Sequence, residues 1–89
     1  MYHTTLCIPK VALSISSEDI EKVFNPLSLG KISRITFKNV TYHNTNCNRV
    51  YIQFESWYSK MWLDHLKSGN SFKIFYDKPR FWICSMSSY

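Results

Sequence analysis

The chain has 89 residues, 45% of them apolar and 17% aromatic, which allows one modest core, is too short for two, and excludes a disordered tail. Eleven Lys and Arg against six Asp and Glu give a formal charge of +5, a balance that favours an anionic partner. Cys7, Cys47 and Cys84 are odd in number and widely spaced with no CxxC pair, so neither a disulfide framework nor a zinc knuckle is indicated and a reducing, intracellular setting is expected.

In chain order, TLCIPKV reads as a short strand that Pro9 ends or bulges. Ser16 is a predicted N-cap with Asp19 as its box partner, and Glu18, Asp19 and Glu21 place acids in the first turn. Ile20, Val23, Phe24 and Leu27 follow at helical spacing, and Asn25-Pro26 predicts an end near residue 25. GKISRITFKNV alternates Ile32, Arg34, Thr36 and Lys38 against Ser33, Ile35 and Phe37, so a bulge near Ile32 is needed to bring its apolar residues to one face. TYHNTNCN reads as a polar loop. In NRVYIQFESWY, Val50, Ile52 and Phe54 recur at a period of two and predict the core face of a strand, with Arg49 and Tyr51 on the other.

SWYSKMWLDHLKSG places Trp62, Leu63 and Leu66 at helical spacing before Gly69, a C-cap signal. SFKIFYDKPRFWICS reads as two short strands around the turn YDKP. In the last of these Phe81 and Ile83 are predicted to face the core and Trp82 the open face; a register shifted by one would bury Trp82 instead. The order strand, helix, strand, strand, helix, strand predicts an α+β, ferredoxin-like βαββαβ fold. Its four-stranded antiparallel sheet carries two helices on one face and leaves the other open. Residues 1–89 form one domain on this reading.

CIPKV, LGKI, NRVYIQFESWY and KIFYDKPRFW together resemble the RNA-recognition-motif (RRM) superfamily, and more closely the RRM-like proteins of nucleocytoplasmic large DNA (giant) viruses. The likeness spans nearly the whole chain. In the superfamily's third-strand signature, CNRVYIQF puts Tyr51 at the second aromatic position, Arg49 at the first, and Ile52 and Phe54 at core positions. Cys47-Asn48 stands in place of the basic-Gly pair, and LCIPKV puts Cys7 where the first strand's stacking aromatic would be. The resemblance implies non-catalytic binding of single-stranded nucleic acid, RNA favoured, across the open sheet. It also implies a place in the host cytoplasm or viral factory, with packaging in the virion as a further option.

The residues expected to carry binding are Tyr51 as a stacking platform, Arg49 against a base or phosphate, and Trp82 as a second ring. Arg34, Lys38 and Arg80, with Lys31, Lys73 and Lys78, lie on or beside the second and last strands, opposite the acids of the first helix, a segregation that suits phosphate tracking. The alternative is a structural or protein-interaction module in which Tyr51, Trp82 and the SSY tail meet another viral or capsid subunit.

No catalytic constellation is expected, because His3, His43 and His65 fall in a terminus, a loop and a helix. His43 and Cys47 supply two ligands at most, so no metal or cofactor is expected. Cys7 and Cys84 are read as small buried thiols on adjacent strands, facing the same way. No membrane partner is expected either: no apolar run approaches the roughly 20 residues of a span, and MYHTTLCIPK lacks the regions of a signal peptide.

Overall fold

The computed structural model describes residues 5–87; His3 and, in the SSY tail, Ser88 and Tyr89 lie outside the described residues. Strand β1 (Thr5–Val11) leads to helix α1 (Ser17–Phe24), a short turn of 3-10 helix (Asn25–Leu27) and strand β2 (Gly30–Tyr42). Strand β3 (Thr45–Trp57), helix α2 (Lys60–Lys67) and strands β4 (Phe72–Asp77) and β5 (Arg80–Ser87) complete the order. The five strands form one antiparallel sheet in the order β2-β3-β1-β5-β4. The expected count of four strands is therefore corrected to five. Phe72–Asp77 is a strand in its own right, folded back on β5 at the sheet's edge.

Helix α1 starts where its cap dictates. The Asp19 N–H donates to Ser16 Oγ at 3.2 Å and the Ser16 N–H donates to Asp19 Oδ2 at 2.9 Å, which satisfies two of the donors a helix start leaves unpaired. Ile20 and Phe24 are buried, but Leu27 falls in the 3-10 turn after Pro26 and is exposed, because a tighter turn rotates it off the helical face.

Two bulges reconcile the apolar spacing of the strands with one buried face. On β1, Ile8 pairs with Val50 and Val11 with Asn48, so one extra residue lets Ile8 and Val11 both point inward. On β2 the register shifts on either side of Ile32, which puts Ile32 and Ile35 on the same face. The predicted polar loop after β2 is instead a two-residue turn. His43 and Asn44 have φ of 46° and 64°, the left-handed pair that a tight hairpin between twisted strands requires.

The core lies between one sheet face and the two helices. Leu6, Ile8, Val50, Ile52 and Phe54 meet Ile20, Phe24 and Leu66 there, and each fully buried side chain of this kind contributes on the order of 1.5–3 kcal/mol. Trp82 and Cys84 belong to the same core, at 3% and 0% exposure. This corrects the expected register of β5 by one residue. Trp82 stacks on Tyr76 with ring centroids 4.3 Å apart, and burying the largest ring on the helix side turns Phe81 and Ile83 to the opposite face.

Candidate functional site

Directly opposed residues of an antiparallel pair project from the same face, so the strand pairings define the sheet surface that the helices do not cover. On it, Gln53, Tyr51 and Arg49 of β3 stand opposite Arg34, Thr36 and Lys38 of β2. Tyr51 also faces Cys7 of β1, and Cys7 faces Ser85 of β5. A row Thr36, Tyr51, Cys7, Ser85 thus crosses four strands. Tyr51, Arg49, Arg34 and Lys38 share one surface, as the sequence predicts.

Arg49 is held by two tyrosine hydroxyls. Its Nη2 donates to the Tyr42 hydroxyl, its guanidinium carbon lies 5.8 Å from the Tyr42 ring centroid, and Tyr51 supplies a second hydroxyl. These contacts, the Tyr42 hydrogen bond first, raise the guanidinium pKa above its ordinary value, so the charge is fixed. Its Nε is buried without a hydrogen-bond partner among the described residues. Burial pushes the neighbouring Cys7 thiol up, and the positive charge of Arg49 pulls it part of the way back.

Lys38 stands directly across from Arg49. Like charges in opposed positions destabilise a sheet, and neither Lys38 nor Arg34 has a carboxylate partner among the described residues. By contrast Lys31 is neutralised by Glu55 at 3.2 Å. Acid on the covered side has a structural explanation at Asp19. Hydrogen bonds from Ser16, the backbone N–H before the hydroxyl, hold its carboxyl below the usual range.

At the other end of the same surface, the β4–β5 hairpin exposes three large apolar side chains. Phe75, Phe81 and Ile83 are 50%, 40% and 48% exposed. The Phe75 and Phe81 rings are 5.6 Å apart at 56°, and Lys73 Nζ lies 4.7 Å from the Phe81 ring centroid. Phe75 pairs with Phe81 and Lys73 with Ile83, so all four share a face. It is the face of Ser85 and Cys7, by alternation along β5.

Two predicted site residues do not reach this surface. Trp82 is in the core, and Arg80, which shares its parity on β5, lines a shallow groove on the helix side with Asp19, Lys22 and Trp82. Sequence reasoning named Trp82 where Phe81 stands. Ser85 and Ser87 were the available signal: they share the parity of Phe81 and Ile83, which marks that set as the open-face one.

Cys7 and Cys84 face opposite ways, since Cys7 pairs with Ser85. Burial pushes the Cys84 thiol up to about 12, the behaviour of an inert core residue. His43 sits in the exposed hairpin turn while Cys47 is buried, and among the described residues no three His, Cys, Asp or Glu side chains gather where they could hold a metal ion. No helix among the described residues is long and apolar enough to cross a membrane. Compared with known proteins, the chain matches no family model, no curated protein and no solved structure.

Proposed function

We propose that this is an RRM-like domain that binds single-stranded nucleic acid, RNA favoured, without turnover on its open sheet face. The observation that carries the reading is the cross-strand pair Lys38 and Arg49. It sets two cations against each other with no carboxylate partner for either among the described residues, beside the exposed Arg34 and the half-buried ring of Tyr51. Such a pair costs stability in the free protein, and an anion with flat, stackable groups relieves it while using the ring. The strand order β2-β3-β1-β5, with helices after β1 and β3, is compatible with a ferredoxin-like sheet to which β4 is added at the edge.

Titration with a single-stranded oligoribonucleotide over a range of salt tests the reading. Affinity should fall as salt rises, and the joint substitution Arg34→Ala, Lys38→Ala should reduce the slope of log affinity against log salt by about 1.4, roughly 0.7 for each phosphate left without its cation. Binding that ignores salt, or an unchanged slope in the variant, would sink it.

A protein-interaction module, in a virion or elsewhere, is the second reading. It is favoured by one observation, the exposed cluster of Phe75, Phe81 and Ile83, since large apolar groups at a contact's centre dominate its energy.

A further inference from the structure

The β4–β5 hairpin poses a question that the Tyr51 and Arg49 cluster does not answer. Two phenylalanine rings stand half in water on a hairpin that buries Trp82, although leaving such rings exposed forgoes on the order of 1.5–3 kcal/mol each. Neither ring has a hydroxyl to satisfy, so stacking and apolar contact are all they offer. Lys73 lies over the Phe81 ring and has no carboxylate partner among the described residues. The patch is therefore apolar, with a cation on a flexible stem over the Phe81 ring that an incoming base displaces towards its phosphate.

We infer that this hairpin carries a second base-stacking site, with Phe81 as the platform, Phe75 and Ile83 as its wall and Lys73 as the phosphate contact. The inference rests on the proposed nucleic-acid reading and adds to it a place and a direction. Ser85 shares a row with Tyr51 two strands away, and Phe81 lies four residues further along β5. At about 4.8 Å between strands and about 3.4 Å per residue, the two positions are roughly 17 Å apart. A bound strand then runs diagonally from Tyr51 to Phe81, crossing β1 about two residues beyond Cys7. Bases stacked about 3.4 Å apart need about five nucleotides to reach from one ring to the other.

Charge selects nucleic acid over a second protein surface as the occupant. Arg34, Lys38 and Arg49 stand at one end of the diagonal and Lys73 at the other, and the carboxylate on this stretch of β3, Glu55, is already paired with Lys31. A phosphate chain crossing the face meets cations at both ends and a ring at each.

The test is titration of the full chain and its variants with a single-stranded dodecaribonucleotide, alongside thermal unfolding and sedimentation. Phe81→Ala should weaken binding about 5- to 150-fold, the equivalent of one stacked base. Phe81→Trp should bind as well as the parent or better, and Phe81→Leu should lose affinity as Ala does, since leucine keeps the apolar surface but not the ring. The Phe81→Ala and Tyr51→Ala losses should multiply in the double variant, because the sites are too far apart to share partners.

If Tyr51→Ala weakens binding and Phe81→Ala leaves it within twofold, the second site is refuted and the proposed function stands. If the parent protein does not bind, both fall together. Full affinity in Phe81→Leu would overturn stacking in favour of simple apolar contact. A lower solution mass for Phe81→Ala would assign the patch to a protein contact. Should Phe81→Ala prove unfolded, the contrast between the Trp and Leu variants still decides.

Discussion

The two hairpins of the sheet present rings and cations on the same surface but treat them differently. In the β2–β3 hairpin the rings are tyrosines, and their hydroxyls bind the guanidinium of Arg49 and hold it still. In the β4–β5 hairpin the rings are phenylalanines, which pack tilted against each other and leave Lys73 on a flexible stem. A phenol pre-organises its cation, and an unsubstituted ring does not. The first hairpin is built to orient a contact, the second to accept whatever flat group arrives.

The largest expected effect concerns the two sides of β5. Trp82→Ala should destabilise the fold by about 3–5 kcal/mol in urea unfolding, as large-to-small core changes do, whereas Phe81→Ala should cost less than about 1 kcal/mol. Equal losses would mean that the register of β5 is wrong. Cys84, beside Trp82 in the core, supplies a pH signature. Its thiol is raised from 9.0 to about 12 by burial, so the folded chain keeps a proton that the unfolded chain releases. The stability this gives is fully present below about pH 9 and is lost as the pH rises from there towards 12. Unfolding midpoints measured across that window should fall, and the fall should be shallower in Cys84→Ala.

Next in size is the Tyr51 platform. Tyr51→Ala should weaken oligonucleotide binding by about 1–3 kcal/mol, with little change in solution mass. Tyr42→Phe isolates the orienting hydroxyl of the first hairpin. It should reduce affinity by about 0.5–1.5 kcal/mol through a released Arg49, while the ring remains in place. If it has no effect, the contrast between tethered and free cations carries no functional weight. The smallest effect belongs to the hairpin turn, where Asn44→Gly relieves a positive φ but adds freedom to the unfolded chain, so the two terms oppose and the unfolding midpoint should move by the equivalent of less than about 1 kcal/mol.

Much of this was readable beforehand wherever two local signals agreed. Helix α1 has both a capping box and a 3.6-residue apolar period, and its start matches the prediction to the residue. The irregularity at Pro9 followed from proline's unsuitability inside a strand, and the bulge near Ile32 from apolar residues three apart on a strand that needed them on one face. The Tyr51 and Arg49 surface followed from clean alternation in β3. In β5, Phe81-Trp82-Ile83-Cys84 is an unbroken apolar run with no alternation of its own, so its facing is decided by which ring fits against Tyr76. The turn at His43-Asn44 lacks the glycine that marks such hairpins, and the polar Thr and Asn around it belong to strands only because the long pairing of β2 with β3 carries them. β4 is legible as the first strand of a local hairpin with β5, and the count of four leaves that strand out of the sheet.

The bulges around Ile32 matter beyond facing. β2 is an outer strand with thirteen residues, and β4, at the other margin, has six. A long flat margin of unpaired amides invites a second chain to add a strand and start an aggregate. Here the long margin is twisted by its register shifts and studded with Lys31, Arg34 and Lys38, and the other is too short to template much. The cations of β2 thus also act as gatekeepers of solubility, so a variant stripped of them to abolish ligand binding should aggregate sooner at high protein concentration.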